Sequence, residues 1–243
     1  IPFRLDKKAA AEGLSKHLKG KRLLPKVFRD ENHLKEVKGV YVPFWVFDAD
    51  SDGTFRYNAE KVRRWEDANN IYEETSHYSV FRQAGMSFSG IPVNGSSKVA
   101  SDLMESLEPY DLSQAVDFQT AYLAGFLADR YDCSEEDCAE RAGERIREST
   151  ADAVRETVTG YDRVDEESGS VSISNGKAKY MLFPVWLLNT EWNGNLYTFA
   201  MNGQTGKFVG NLPLNRKAYA AWLIGLGLGI AAVVALLLFL LWK

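Results

Sequence analysis

The chain has 243 residues, 45% of them apolar and 26% charged, with a formal net charge of −4. These are globular proportions, and the slight acidity argues against a chain built mainly to hold nucleic acid. Its only cysteines, Cys133 and Cys138, give no disulfide framework, so a reduced, cytosolic domain is the simpler expectation.

The first residue is Ile1, not Met, and no apolar signal stretch follows it. The expectation is a chain that continues upstream of Ile1. Asp6 to Lys21 predicts a short amphipathic helix, capped by Asp6, with Ala10, Leu14 and Leu18 at helical spacing and Gly20 to end it. Leu23-Leu24-Pro25 and the charged stretch to Lys38 read as a connection, with Leu34 and Val37 on one further short turn.

Val40 to Asp48 is dense in β-branched and aromatic residues and predicts a strand. Asp52-Gly53 reads as a hairpin turn, with Thr54 to Val62 as the return strand. Ile71 to Phe88 alternates like a strand, and Tyr72, Tyr78, Val80, Met86 and Phe88 are the expected buried positions. A helical middle follows. Ser96 or Ser97 caps a helix through Leu107, which Glu108-Pro109 ends, and Thr120 to Tyr131 carries apolar residues at helical spacing. Ser134-Glu135-Glu136-Asp137 opens a long helix with acids in its first turn. Its stripe is Cys138, Ala142, Ile146, Ala153 and Val154, and Gly160 ends it. Strands return at Val171–Ser174, Tyr180–Asn189, Asn195–Met201 and Phe208–Leu212.

From Ala218 to Trp242 no residue is charged. Twenty-five helical residues span about 37 Å, enough to cross a hydrocarbon core of about 30 Å. Arg216 and Lys217 flank one end and Lys243 the other, with Tyr219, Trp222 and Trp242 at interface depth. The expectation is a single-pass membrane helix, and the excess of Arg216 and Lys217 over Lys243 favours a cytoplasmic soluble domain. Gly225 and Gly229 form one G-x-x-x-G, which lets two helix backbones approach in lipid and predicts pairing in a homo- or hetero-oligomer.

The two β regions repeat. With Pro43 set on Pro184, Trp45 falls on Trp186, Gly53 on Gly194 and Ala59 on Ala200 without a gap. The expected fold is α+β: two related antiparallel β-hairpin units flanking a helical insert, followed by the membrane helix. The expected divisions are 1–38, an N-terminal helix and connection; 39–95, the first β unit; 96–160, the helical insert; 161–214, the second β unit; and 215–243, the anchor. Trp45, Phe47, Trp186 and Leu188 read as core. Because Pro43 and Pro184 interrupt the ladders, an aromatic docking surface around Trp45 and Trp186 is the alternative.

Chemistry is harder to find. Asp48-Ala49-Asp50-Ser51-Asp52-Gly53 opens like a calcium loop, but its twelfth position is Ala59 and its flanks are strand-like, so a solvated turn is the better reading. His17, His33 and His77 are scattered, and Cys133 and Cys138 lack a second pair for zinc. Asp129, Asp132, Glu135 and Glu136 read as a solvated acidic face. No phosphate loop, nucleophile elbow or H-E-x-x-H is found. The expectation is therefore a non-enzymatic chain, with no cofactor or metal site among its own residues.

Gly39-Val40-Tyr41-Val42-Pro43-Phe44-Trp45, Ser106-Leu107-Glu108-Pro109-Tyr110-Asp111 and Phe199-Ala200-Met201-Asn202-Gly203-Gln204-Thr205-Gly206-Lys207 together are similar to bacterial membrane proteins labelled "TFIIB-type zinc ribbon-containing". The resemblance runs from Ile1 to the anchor, and the third motif is its most specific part. It implies a four-cysteine zinc ribbon ahead of the I-P-F segment, so zinc would belong to residues outside this chain. It also implies partners of flotillin-like (SPFH) or phage-shock protein A-like type and an envelope-stress role. The leading expectation is a membrane-anchored adaptor or scaffold, bound to membrane lipid and to such a partner. The alternative is a tethered zinc-ribbon protein that binds nucleic acid. Gly203 to Lys207 itself reads as a tight turn between strands, since no helix follows to make it a phosphate loop.

Overall fold

The structure, a computed structural model, describes residues 1–21, 23–30 and 36–242. His33, Leu34 and Lys243, each given a role or place above, lie outside the described residues. The chain divides into two compact units of interleaved segments: Ile1–Tyr41, Asp102–Ala128 and Phe183–Lys243 in the first, Val42–Ser101 and Asp129–Leu182 in the second. The contiguous divisions expected from sequence are therefore redistributed, and each β-hairpin packs on a helix drawn from the other half of the chain.

In the first unit, α1 (Lys7–Leu18) starts where Asp6 accepts the Ala9 N–H at 2.7 Å. Ala10, Leu14 and Leu18 are buried as predicted, because 3.6-residue periodicity puts them on one face. They pack in one core cluster with Phe28, Trp186, Leu188, Phe199 and Met201. The sheet beneath comes from the end of β4 (Arg163–Trp192), β5 (Asn195–Asn202) and β6 (Phe208–Gly210). β4 and β5 pair antiparallel from Val185↔Asn202 to Trp192↔Asn195. Their turn is Asn193-Gly194, with φ of 53° and 75°, the positive values a two-residue hairpin needs. This is the hairpin of the second of the two expected β units.

The first residues of β1 (Lys38–Glu66) pair in parallel with β3 (Leu127–Ala128), Val40 opposite Leu127. A helix was expected over Thr120–Tyr131. Instead a 3₁₀ turn covers Thr120–Leu123 and the chain then becomes strand. Gly125, at φ 85°, breaks the helix between them. The helix expected from Ser96 to Leu107 shrinks to α2 (Ser101–Glu105), because Ser96 and Ser97 bind other groups.

In the second unit, β1 pairs antiparallel with β2 (Ile71–Asn94), and β4 lies on the other side of β1. The turn predicted at Asp52-Gly53 does not exist. β1 runs straight through it, with Asp52 opposite Gly85 and Gly53 opposite Ala84. Gly53 is there for space: a Cβ would stand 2.8 Å from the Phe55 ring and 2.9 Å from Thr150 Cγ2. A glycine inside a strand marks close approach as readily as a turn. The real turn is Asp67–Asn70, where the Asp67 carboxylate accepts the N–H groups of Asn69 and Asn70.

The long helix is α3 (Glu135–Glu156), entered through a capping box of Ser134 and Asp137. Cys138, Ala142, Ile146, Thr150 and Val154 are its buried stripe. Thr150 takes the place expected of an apolar residue, and its hydroxyl is 2.9 Å from Ser51 Oγ and donates to Ile146 O. Val154 and Val158 cover Phe55, Tyr57, Ala59 and Val80. Of the residues expected to be buried on β2, Val80 is, Met86 and Phe88 are half-buried, and Tyr72 and Tyr78 are exposed.

Tyr57 is fully buried, yet its hydroxyl has no partner. An unsatisfied buried hydroxyl costs about 1–3 kcal/mol. Tyr57→Phe is therefore expected to raise the stability of the second unit by about 1 kcal/mol, read as a higher denaturant midpoint at unchanged slope.

Candidate functional site

The two tryptophans offered to a partner by the sequence are held inside matching frameworks. In the first unit, Trp186 is 4% exposed and its indole N–H donates to Leu5 O at 3.1 Å. Phe3 meets it edge-on at 5.0–5.1 Å, as it does Tyr41, and stacks on Phe126 at 4.1 Å. In the second unit, Trp45 is half-buried, its N–H donates to Cys133 O at 3.1 Å, and Tyr131 and Tyr180 stand edge-on. Trp186 is therefore core, as the sequence reads, and not the alternative docking surface: its ring and its donor are both occupied within the unit.

The correspondence extends to the backbone. Gly203 N–H donates to Pro184 O, and Gly95 N–H donates to Pro43 O. The Gly203 carbonyl accepts from Arg4 and Leu5, and the Gly95 carbonyl from Asp132 and Cys133. One residue later each chain caps a helix, Asp6 for α1 and Ser134 for α3. The asparagine before each glycine is buried and bonds forward: Asn202 Oδ1 accepts from Gln204 and Thr205, Asn94 Oδ1 from Ser96. The repeat read from Pro-x-Trp therefore has three parts: an aromatic-led loop and helix, a Pro-x-Trp strand, and an Asn-Gly strand end. Sequence reading missed the first and third parts. The signals were present in Phe3-x-Leu5-Asp6 against Tyr131-x-Cys133-Ser134, and in Asn202-Gly203 against Asn94-Gly95.

This geometry also joins the Ser106–Asp111 and Phe199–Lys207 segments. Asn202 Nδ2 donates to Leu107 O at 3.0 Å and Pro109 O at 3.2 Å. Gln204 Oε1 accepts the Asp111 N–H, and its amide donates back to Asp111 O. Gly203–Lys207 forms a turn between β5 and β6, with Gly206 at φ 79°.

The aspartates of the calcium-like segment alternate along β1 and bind neighbouring strands. Asp48 accepts from Ser89 Oγ, from Gly90 N–H at 2.8 Å and from Lys179, at the bulge where Phe47↔Ile91 shifts to Ala49↔Phe88. Asp50 accepts from Ser87 and Asn175. These hydrogen bonds, the Gly90 N–H first for Asp48 and Asn175 first for Asp50, hold both carboxyls below the usual carboxylate range. Nor are Asp129 and Asp132 a merely solvated face: they tie down Ser96, Ser97 and Lys98. Burial pushes the Cys138 thiol up to about 11, and raises Cys133 too, so neither is a thiolate at neutral pH. Among the described residues no group of three or more His, Cys, Asp or Glu is placed to hold a metal.

Open apolar surface lies elsewhere. The hairpin β1–β2 outruns α3: 22 helical residues reach about 33 Å, and 29 strand residues about 95 Å. Past Val80 and Ala59 the core face of the hairpin loses its cover. Tyr78 meets Tyr161 at 5.3 Å, and beyond it Trp65 and Tyr72 stack on each other at 5.6 Å, 44% and 40% exposed. Ile71 beside the turn is 79% exposed, and Arg63 lies over Trp65.

The C-terminal helix α4 (Arg216–Leu241) is capped by Asn215, whose Oδ1 accepts the Ala218 N–H. Ala218–Ala235 is long and apolar enough to cross a membrane, and none of it is buried. Arg216, Tyr219 and Trp222 are exposed at its start and Trp242 at its end. Lys217 lies in its first turn. A Cβ at Gly225 or Gly229 would meet nothing within 4 Å, so that face is open.

No family model matches the chain, and no solved structure matches it. It is 37% identical over 229 residues to the "Uncharacterized protein YdjG" of Bacillus subtilis (strain 168), an alignment covering 94% of this chain and 67% of that protein. At that identity and coverage, the chain belongs to the family of Bacillus subtilis YdjG.

Proposed function

We propose that this chain is a non-enzymatic, membrane-anchored adaptor, with α4 as a single-pass tether and both folded units on the cytoplasmic side. The observation that carries the reading is α4, uncharged from Ala218 onward, of spanning length, and with its Ala218–Ala235 stretch unburied. Arg216 and Lys217 at its start support the orientation. The uncovered Trp65–Tyr72 end of the β1–β2 hairpin is the docking surface, since rigid, exposed aromatics with an adjoining arginine are typical interface anchors. It replaces Trp45 and Trp186 in that role. The partner class, an SPFH or phage-shock-type protein in an envelope-stress response, rests on the family resemblance. Gly225 and Gly229 are the helix-pairing face.

The full chain, expressed in a bacterial host with its chromosomal neighbours and purified in mild detergent, should retain an SPFH or phage-shock-type protein. Trp65→Glu combined with Tyr72→Glu should lower that recovery at least tenfold while the melting temperature stays within a few degrees. Recovery of the chain alone, or equal recovery with the double variant, counts against the adaptor or against this surface, respectively.

A further inference from the structure

The chain as a whole is acidic, but the stretch from Lys16 to Arg29 is not. It holds Lys16, Lys19, Lys21, Arg22, Lys26 and Arg29 and no acid, within a protein of net charge −4. In sequence it is far from the spanning helix. In the first unit it is adjacent: the Asn215 N–H, on the residue that caps α4, donates to Leu23 O at 2.9 Å. Lys21, Leu23 and Leu24 line one side of a groove of 290 Å³, and Leu212, Pro213 and Leu214 line the other. Lys21 Nζ lies 2.7 Å from His17 Nε2, Lys16 and Lys19 are exposed earlier in the same stretch, and of the apolar residues Val27 is 38% and Leu214 49% exposed. Arg216 and Lys217 then open the helix.

We infer that Lys16, Lys19 and Lys21 form a lipid-headgroup site at the point where α4 enters the membrane, taking the phosphates of anionic phospholipids. The inference rests on the reading of α4 as a membrane span. The physical case is complementarity and position. A lysine-bearing segment that lines an apolar groove, tied by a backbone hydrogen bond to the residue that caps α4, would meet the leaflet at headgroup depth. There anionic lipid attracts each basic side chain, and the apolar residues bed against the acyl boundary. Lys16, Lys19 and Lys21 would then add to Arg216 and Lys217 at the same end of the span, in line with the proposed orientation.

The test uses the full chain reconstituted in nanodiscs of pure phosphatidylcholine and of phosphatidylcholine with 30% phosphatidylglycerol, read by amide hydrogen exchange over residues 16–29. Exchange should slow at least fivefold in the anionic discs, and 0.5 M salt should abolish the difference. The triple variant Lys16→Glu, Lys19→Glu, Lys21→Glu should exchange alike in both discs, with exchange over 185–202 unchanged to show that the first unit is folded. Equal exchange of the unmodified chain in both lipids overturns the site while leaving the anchor intact. Slowing by inorganic phosphate in neutral discs overturns it in favour of a soluble anion. Failure to enter either disc overturns the anchor and the site together.

Discussion

Asn202→Ala is expected to destabilise the first unit by about 4 kcal/mol. Asn202 is fully buried and its side chain makes four hydrogen bonds: it accepts from Gln204 and Thr205 and donates to Leu107 O and Pro109 O. Alanine leaves two backbone donors and two carbonyls without that partner, at about 1 kcal/mol each. For a protein of this size the melting temperature should fall by about 10 °C. Asn202→Asp should destabilise at least as much as alanine at neutral pH, because it replaces the donor with a buried carboxylate oxygen facing Leu107 O and Pro109 O. The exposed Asn195, whose amide reaches only Asn193 O at 3.4 Å, is the control, and its alanine variant should melt with the native chain. Equal melting of Asn202→Ala would show that the turn holds without the side chain.

The corresponding residue of the second unit, Asn94, makes three such bonds, to Ser96 N–H, Ser96 O and Val99 O. Its partners share no residue with those of Asn202. The two frameworks thus use one device twice: an asparagine at a strand end folds the following turn back, and the next glycine receives a helix-entry loop. At Gly203 no side chain fits, whereas a Cβ on Gly95 would be tight, 3.3 Å from Pro43 O. A Cβ on Gly203 would stand 2.6 Å from the Phe3 ring and 2.9 Å from Pro184 Cβ.

Local signals carried the sequence reading well where the cause is local. Asp6 and Ser134 as caps, the α1 stripe and the Asn193-Gly194 turn all follow from contacts within a few residues. The Pro-x-Trp repeat was legible because both strands keep the same anchor. Errors arose where a local signal has a distant cause. Gly53 follows an aspartate and imitates a turn, whereas its lack of a side chain answers Thr150, nearly a hundred residues away. Trp45 and Trp186 read as core, and only the ladder-breaking prolines before them suggest an open surface as the alternative. Their indoles are closed by Cys133 and Leu5, from segments that no nearby residue points to. The pairing of each hairpin with a helix from the other half of the chain is likewise invisible to periodicity, which shows that a face is apolar but not what covers it. Tyr72 and Tyr78 illustrate the converse: an alternating strand predicts burial, and the helix opposite is simply too short.

Two lysines at Leu228 and Val233 are expected to release the protein from the membrane. Both side chains are exposed on α4, at 67% and 57%, so no neighbouring side chain of this chain neutralises a charge there. The helix carries thirteen Leu, Ile, Val and Phe residues between Ala218 and Trp242. At about −0.3 to −0.6 kcal/mol each for insertion, they supply roughly 4–8 kcal/mol. Two lysines near the centre cost about 5–7 kcal/mol, which removes most or all of it. Alkaline extraction of membranes should leave the native chain in the pellet and the double variant in the supernatant. A single lysine at Leu228 should leave a mixed population, since about 3 kcal/mol removes only part of the gain. The same pair of lysines outside the span, at the exposed Glu73 and Glu74 of β2, should change nothing in this assay. Retention of the Leu228, Val233 variant in the pellet would mean that something other than α4 holds the chain. The basic stretch 16–29 is the surface to examine in that event, and extraction in 0.5 M salt separates the two, because headgroup attraction is screened and a spanning helix is not.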